Sequence, residues 1–248
     1  VKASIISDIV LDLAKMIRMN VIPEKELRSM VGKLNHAAGL LVQLRPFMES
    51  LWAALNSRLV TKPGCTWRKQ ILPALTFFHA FFTQEGKHME RYFSLEAFER
   101  KGIVVEIGTD ASPWGLGGWI SVGGRIVEYF SCPITALDVA RYGHAIGCNK
   151  GQQLWECLAI LVAVDLWPHI WGEKRMNILL KVISDNVTAL TLLIKMRPDN
   201  AKMAIVAREL ALRLGKLSFP PDAVHTPGVS HKIADMLSRV YQPGKYME

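Results

Sequence analysis

The stretch IVVEIGTDASPWGLGGW, residues 103–119, begins as a buried strand and then stops being one. Alternation places Ile103, Val105 and Ile107 on one face and Val104, Glu106, Gly108 and Asp110 on the other. The strand therefore delivers a carboxylate at its end. Ala111, Ser112, Gly115, Gly117 and Gly118 follow at once, and residues this small let a backbone come close. A charge set in cleared space at a strand end points to an α/β sheet that uses its edge as a site.

Three further carboxylates share this placement at element ends or on apolar faces. The strand NILLKVISD, 177–185, ends on Asp185. If the two strands are parallel neighbours, Asp110 and Asp185 emerge at one sheet edge. Glu156 lies in a long helical run, about 151–167, with Ile160, Ala163 and Trp167 on its own face. A glutamate there is costly unless something uses it. Asp235 lies in the last helix, after HTPGVSHKIA. Each acid also has an ordinary role open to it. Asp110 can cap a turn, and Asp185 can N-cap the next helix. Asp235 can pair with Arg239 or His231, and Glu156 can sit solvated at a helix rim. Four carboxylates meeting at one point make sense if hard cations lie between them. Two Mg²⁺ ions, with Mn²⁺ as a substitute, held about 3.5–4 Å apart, activate a water and stabilise the leaving oxygen of a phosphodiester.

Around these acids the chain reads as three parts and a tail. Residues 1–62 are helical. Ile5, Ile6, Ile9, Val10, Leu13, Met16 and Ile17 form one stripe. Leu27, Met30, Val31, Leu34, Ala38 and Leu41 form a second behind Pro23, and Pro46 opens a third helix. Residues 63–101 read as a connector, with a turn at KPGC and an aromatic helical piece interrupted by Pro73. Residues 102–242 have the order β-β-β-α-β-α-α-β-α, and 243–248 are a tail. Within that part the hairpin is GGWIS, VGG, RIVEYF. Helices are expected near 187–196, 199–214 and 230–239, with a strand near 217–225.

A chain of 248 residues, half of them apolar, can bury a real core. The formal charge of +8 favours a polyanionic partner, nucleic acid first. Cys65, Cys132, Cys148 and Cys157 show no C-x-x-C spacing, so neither a zinc site nor a redox motif is supported and a reducing interior is expected. The apolar run 154–171 is not a membrane span, because Glu156, Asp165 and Pro168 interrupt it. No signal peptide opens the chain and the first residue is not Met. The expectation is a piece of a longer polyprotein with no membrane partner.

TDASPWGLGGW, the Glu of QQLWECLAILVAVDLW, the SDN of KVISDNVTAL and HTPGVSHKIADMLSR together resemble the ribonuclease H domain of retroelement reverse transcriptases. The last motif is the most specific. It is similar to the H-x-P-G-x-x-N-x-x-A-D-x-L-S-R closing motif of gypsy-like and DIRS-like elements, and SDN leans to the DIRS-like side. Upstream, LRSMVGKLNHAAGLLVQLRPFMESLWAAL is similar to the thumb that follows the palm in such enzymes. The resemblance implies an RNase H-like α/β fold, a five-stranded mixed sheet with helices on both faces, preceded by a small helical thumb-like domain. It implies Mg²⁺-dependent cleavage of the RNA strand of an RNA–DNA hybrid, with Asp110, Glu156, Asp185 and Asp235 as metal-binding acids. It places His225 near the scissile phosphate and in product release. His231 stands where the family usually has Asn. The paired-aspartate polymerase motif is absent from this sequence, so palm and fingers are expected upstream. An intracellular setting follows, in the nucleus or a cytoplasmic retroelement particle.

Two other readings share the fold. One is a scaffold that binds nucleic acid without metals; the other is a transposase- or integrase-type nuclease. The four acids oppose the first, and the thumb-like segment opposes the second. For holding a hybrid, Lys25, Arg28 and Lys33 of one helix are candidates to follow a phosphate backbone, with Asn35 reaching a minor groove. Lys150, Arg197 and Lys202 are candidates in the nuclease part. RNA is told from DNA by 2′-OH contacts and helix shape. Trp114 and Trp119 flank the first acid, and at least one is expected to pack.

Overall fold

Apolar stripes at helical spacing assemble the first of the chain's two units, Val1–Arg91 and Tyr92–Glu248. The computed structural model describes residues 3–56, 64–83, 95, 99, 101–171, 178–215 and 221–244. Helices α1 (Ala3–Arg18), α2 (Glu24–Leu40), α3 (Arg45–Asn56) and α4 (Arg68–Thr83) bury Ile9, Leu13, Leu27, Leu34, Leu51, Ile71 and Phe78 in one core. Strands β1 (Val21–Pro23) and β2 (Cys65–Trp67) pair antiparallel beside them. The described part of the expected connector, 64–83, thus belongs to this unit. Helix α4 runs through Pro73 rather than being interrupted by it. The proline forgoes its bond to the Lys69 carbonyl, while Ile71, Ala74, Leu75, Phe78 and Phe82 bury the helix on both sides of it.

Gly32 lies inside α2, and an added Cβ there would meet nothing within 4 Å. Gly32→Ala is therefore expected to stabilise this unit by about 0.5–1 kcal/mol, by restricting the unfolded chain. A urea melt checks it. A lower midpoint would mean that the open space is used.

The second unit is built on a sheet of order β5-β4-β3-β6-β7. Its strands are β3 (Ile103–Ala111), β4 (Gly115–Val122), β5 (Arg125–Pro133), β6 (Ile178–Ser184) and β7 (Asp222–His225). The first three form an antiparallel meander, and β6 and β7 add in parallel to β3. Gly123 and Gly124 make the two-residue turn from β4 to β5, both at positive φ (59° and 81°), as a hairpin of matching twist requires. Helix α5 (Ala136–Tyr142) was not expected. A capping box, Thr135 with Asp138, starts it, and left-handed Gly143 ends it. Then come α6 (Gln152–Leu166), a helical turn Pro168–Trp171, α7 (Val187–Lys195), α8 (Ala201–Leu214) and α9 (Lys232–Ser238). Of the expected strand 217–225, the part before 221 lies outside the described residues.

Helices cover both faces of the sheet. Asp110 pairs with Gly117 across β3 and β4, so they share a face, and α9 lies on it: a Cβ added to Gly117 would be 2.3 Å from the Ser238 nitrogen. Thr109, Gly118 and Phe130 are register partners on the opposite face. There Phe130 packs on Trp167, just after α6, with ring centroids 5.6 Å apart. This five-stranded mixed sheet with flanking helices is the RNase H-like fold that the motifs imply. Among the described residues no helix is long and apolar enough to cross a membrane.

Candidate metal centre

Parallel pairing of β3 with β6 runs in step from Ile103 and Ile178 to Gly108 and Ile183. Two residues further on, the same register sets Asp110 beside Asp185. Glu156 reaches this edge from α6, on the other face from α9. One carboxylate oxygen each from Asp110, Glu156 and Asp185 lie within 4.8 Å of one another.

Asp110 is 5% exposed. Its Oδ2 accepts from the Ser238 hydroxyl at 2.6 Å. Burial pushes its pKa up from 3.8 to about 6; the Ser238 bond opposes this, Asp185 and Asp235 add to it, and His231 opposes it. Glu156 is 3% exposed. Burial, then the Asp110 charge, raises its pKa well above the ordinary carboxylate range, against the bond from Gln152. That bond runs from Gln152 Nε2 to Oε1 at 2.9 Å, and the same amide also donates to the Ala111 carbonyl. The second oxygen, Oε2, is buried and has no hydrogen-bond partner among the described residues.

Asp185 is half-buried and does not cap the next helix. Asn186 does, its side chain accepting from the Ala189 N–H at 3.1 Å. The loop at Gly228 leans on Asp185: an added Cβ would come within 3.1 Å of Oδ2. Asp235 faces Asp110 closely enough to raise its pKa. Its own Oδ1 accepts from Arg239 Nε, so the ordinary i,i+4 pairing is present, and Asp235 is not one of the three converging acids. His225 ends β7, with Nε2 donating to the Asp185 carbonyl at 3.2 Å. His231, in the place of Asn, is buried, and its Nε2 donates to the Thr109 carbonyl at 2.9 Å. It ties the start of α9 to the residue before Asp110.

The small residues after Asp110 do receive a backbone, that of the chain's own α9. Gly115 and Gly117 both lie against Ser238. Both tryptophans pack, Trp119 over Gly108 and Trp114 beside Gly147.

The basic candidates separate. On α2, Lys33 Nζ is turned to Asp12 of α1 at 2.8 Å, and Arg28 pairs with Glu24 at 2.6 Å. Lys25 and Asn35 are exposed. Lys25, Arg28 and Lys33 therefore do not form one free basic stripe. In the second unit, Lys150 and Lys202 line a single cavity of about 410 Å³ with His144 and Asn200. Asn200 also caps α8, accepting from the Lys202 and Met203 N–H groups. Burial and the nearby Lys202 charge push the His144 pKa down. Arg197 is exposed between α7 and α8.

Sequence reading missed two residues that hold the acids. Gln152 stands four residues before Glu156 on the same helix, a spacing from which its contact is legible. Ser238 lies 128 residues from Asp110, and nothing local marks their meeting.

No protein-family model matches the chain, and no curated protein matches it. Among solved structures it is similar to LC11-RNase H1, isolated from compost by a metagenomic approach and also solved with an RNA/DNA hybrid. Identity is 15%, over 55% of this chain and 92% of that one, with a TM-score of 0.43. RNase H1 of the archaeon Halobacterium salinarum NRC-1 matches at 16% identity, over 54% and 92% of the two chains, with a TM-score of 0.37. A foamy viral protease-reverse transcriptase, solved with an RNA/DNA hybrid, matches at 14% identity over 100% of this chain and 29% of its own, with a TM-score of 0.30.

Proposed function

We propose that the second unit is a divalent-metal-dependent endonuclease that hydrolyses the RNA strand of an RNA–DNA hybrid, and that the chain is the thumb and ribonuclease H part of a gypsy-like or DIRS-like reverse transcriptase. What carries the reading is the convergence of three carboxylates whose oxygens lie within 4.8 Å of one another, one of them, Glu156, with an Oε2 that is buried and has no hydrogen-bond partner among the described residues. Without a cation these groups repel one another in a poorly solvated place, and an unpaired buried carboxylate oxygen is costly. Hard divalent ions take oxygen ligands of this kind. Asp110, Glu156 and Asp185 would hold Mg²⁺ or Mn²⁺, with Asp235 as fourth carboxylate of a two-ion site. Bound there, the ions supply an activated water and charge stabilisation for the leaving oxygen.

The chain's own groups supply the rest. Ser238 and Gln152 hold one oxygen each of Asp110 and Glu156. His225, anchored on the Asp185 carbonyl, keeps its exposed ring at the rim, where it can meet a phosphate. Lys150 and Lys202, around their cavity, and Arg197 present positive charge to a phosphate backbone. Lys25 and Asn35 are the freest of the α2 candidates. The retroelement assignment rests on the closing motif and on the thumb-like segment before the nuclease unit.

Incubation with end-labelled RNA–DNA hybrid tests this. The expected result is RNA cleavage in Mg²⁺ or Mn²⁺ with 3′-OH and 5′-phosphate ends, and none in EDTA. Equal cutting of duplex DNA, or cutting that survives EDTA, would overturn it.

A further inference from the structure

We propose that Ser238 is a positioning residue for Asp110, and that its hydroxyl sets how tightly the acid cluster holds a divalent ion; the inference rests on the metal-dependent reading of that cluster. Ser238 is completely buried. Its single hydroxyl proton has two acceptors in reach, Asp110 Oδ2 at 2.6 Å and the Asp235 carbonyl at 2.9 Å. The shorter, charge-assisted bond to the carboxylate is the stronger. Ser238 thus joins two acids far apart in the chain: the side chain of Asp110 on β3 and the backbone of Asp235 on α9.

The position of that hydroxyl is itself over-determined. The Ser238 carbonyl accepts from Ser112 Oγ at 2.7 Å, and the Leu237 carbonyl accepts from Ser131 Oγ at 2.7 Å. Carbonyls at a helix end have no partner within the helix, so two strand-side serines satisfy the end of α9. The closeness of the Gly117 backbone then sets the height of α9 above the sheet. A hydroxyl this well located fixes the plane of the Asp110 carboxylate before any ion arrives. Loss of a partner that orients a metal ligand typically costs about 10–100-fold in metal affinity or activity.

The test is a set of thermal melts against Mg²⁺ and Mn²⁺ concentration for the parent chain, Ser238→Ala and Ser131→Ala, beside hybrid cleavage. Ser131→Ala removes a cap from the same helix and touches no acid. In Ser238→Ala, the ion concentration giving half of the stabilisation should rise about tenfold or more. Cleavage should need correspondingly more Mg²⁺ and recover at high Mg²⁺, with KM for the hybrid unchanged. Ser131→Ala should melt lower at every ion concentration with the parent's midpoint. An unchanged midpoint in Ser238→Ala, or an equal shift in both variants, overturns the inference alone. A parent chain that gains no stability from either ion overturns both the inference and the metal-dependent function.

Discussion

Asp110→Asn should abolish hybrid cleavage and yet, in EDTA at pH 7, melt at a higher temperature than the parent chain. The Asp110 pKa is about 6 in the fold against 3.8 ordinarily, chiefly through burial. Between these values the folded state keeps a proton that the unfolded chain releases. Stability from this group is therefore greatest below about pH 4, falls as pH rises through about 6, and stays low above it. At pH 7 the ionised group costs the metal-free fold about 3 kcal/mol. Glu156 is shifted the same way and deepens the cost. Asparagine removes the charge and keeps the shape. Its amide oxygen can still accept from Ser238. The parent-minus-variant difference in melting temperature should accordingly shrink toward pH 4. Adding Mg²⁺ should raise the parent more than the variant, because binding to the native state alone stabilises by mass action. Melts of both proteins from pH 4 to 8, with EDTA and with Mg²⁺, give the answer. A variant that melts lower in EDTA at pH 7 would make Asp110 a structural cap.

Gly117→Ala should weaken the second unit by about 1–3 kcal/mol or more, the usual range for overpacking a well-packed core. It should also lose cleavage. The added Cβ would sit 2.3 Å from the Ser238 nitrogen and 2.6 Å from the Leu237 carbonyl carbon. These are backbone atoms and have no alternative rotamer. Helix α9 must lift, which stretches the Ser238 bond to Asp110 and the two serine caps behind it. Urea unfolding beside the hybrid assay checks both effects. Parent-like stability and cleavage would mean that α9 has room to move.

Much of the second unit was legible because its signals are local. Alternation exposes β3 and β6, the two-glycine turn the β4–β5 hairpin, and helical spacing α6 and α8. The Asp110–Asp185 proximity followed from the strand ends once the strands are parallel, and the register shows that they are. Helix α5 had a capping signal, but Asp rather than Glu or Gln stands at its third position, and seven residues show little periodicity. The β1–β2 ribbon joins two three-residue strands more than forty residues apart, too short for any period to appear. The 64–83 stretch reads as a connector on account of Pro73, yet burial of its apolar face outweighs one lost hydrogen bond.

The sequence marks the longer strands and helices of the second unit and the residues that carry charge, since these follow from residue type and near-neighbour spacing. It placed carboxylates at two strand ends and on a helix face, and it set glycines beside the first of them. How those charges are used is set by packing between elements far apart in the chain. Three acids converge while Asp235 turns to Arg239, and Lys33 is spent on Asp12. The glycines make room for α9. Ser238 and His231 reach Asp110 and Thr109 across 128 and 122 residues. Such contacts depend on how separate elements stack, and no local spacing encodes the distance between two side chains that meet only after the sheet has closed over its helices.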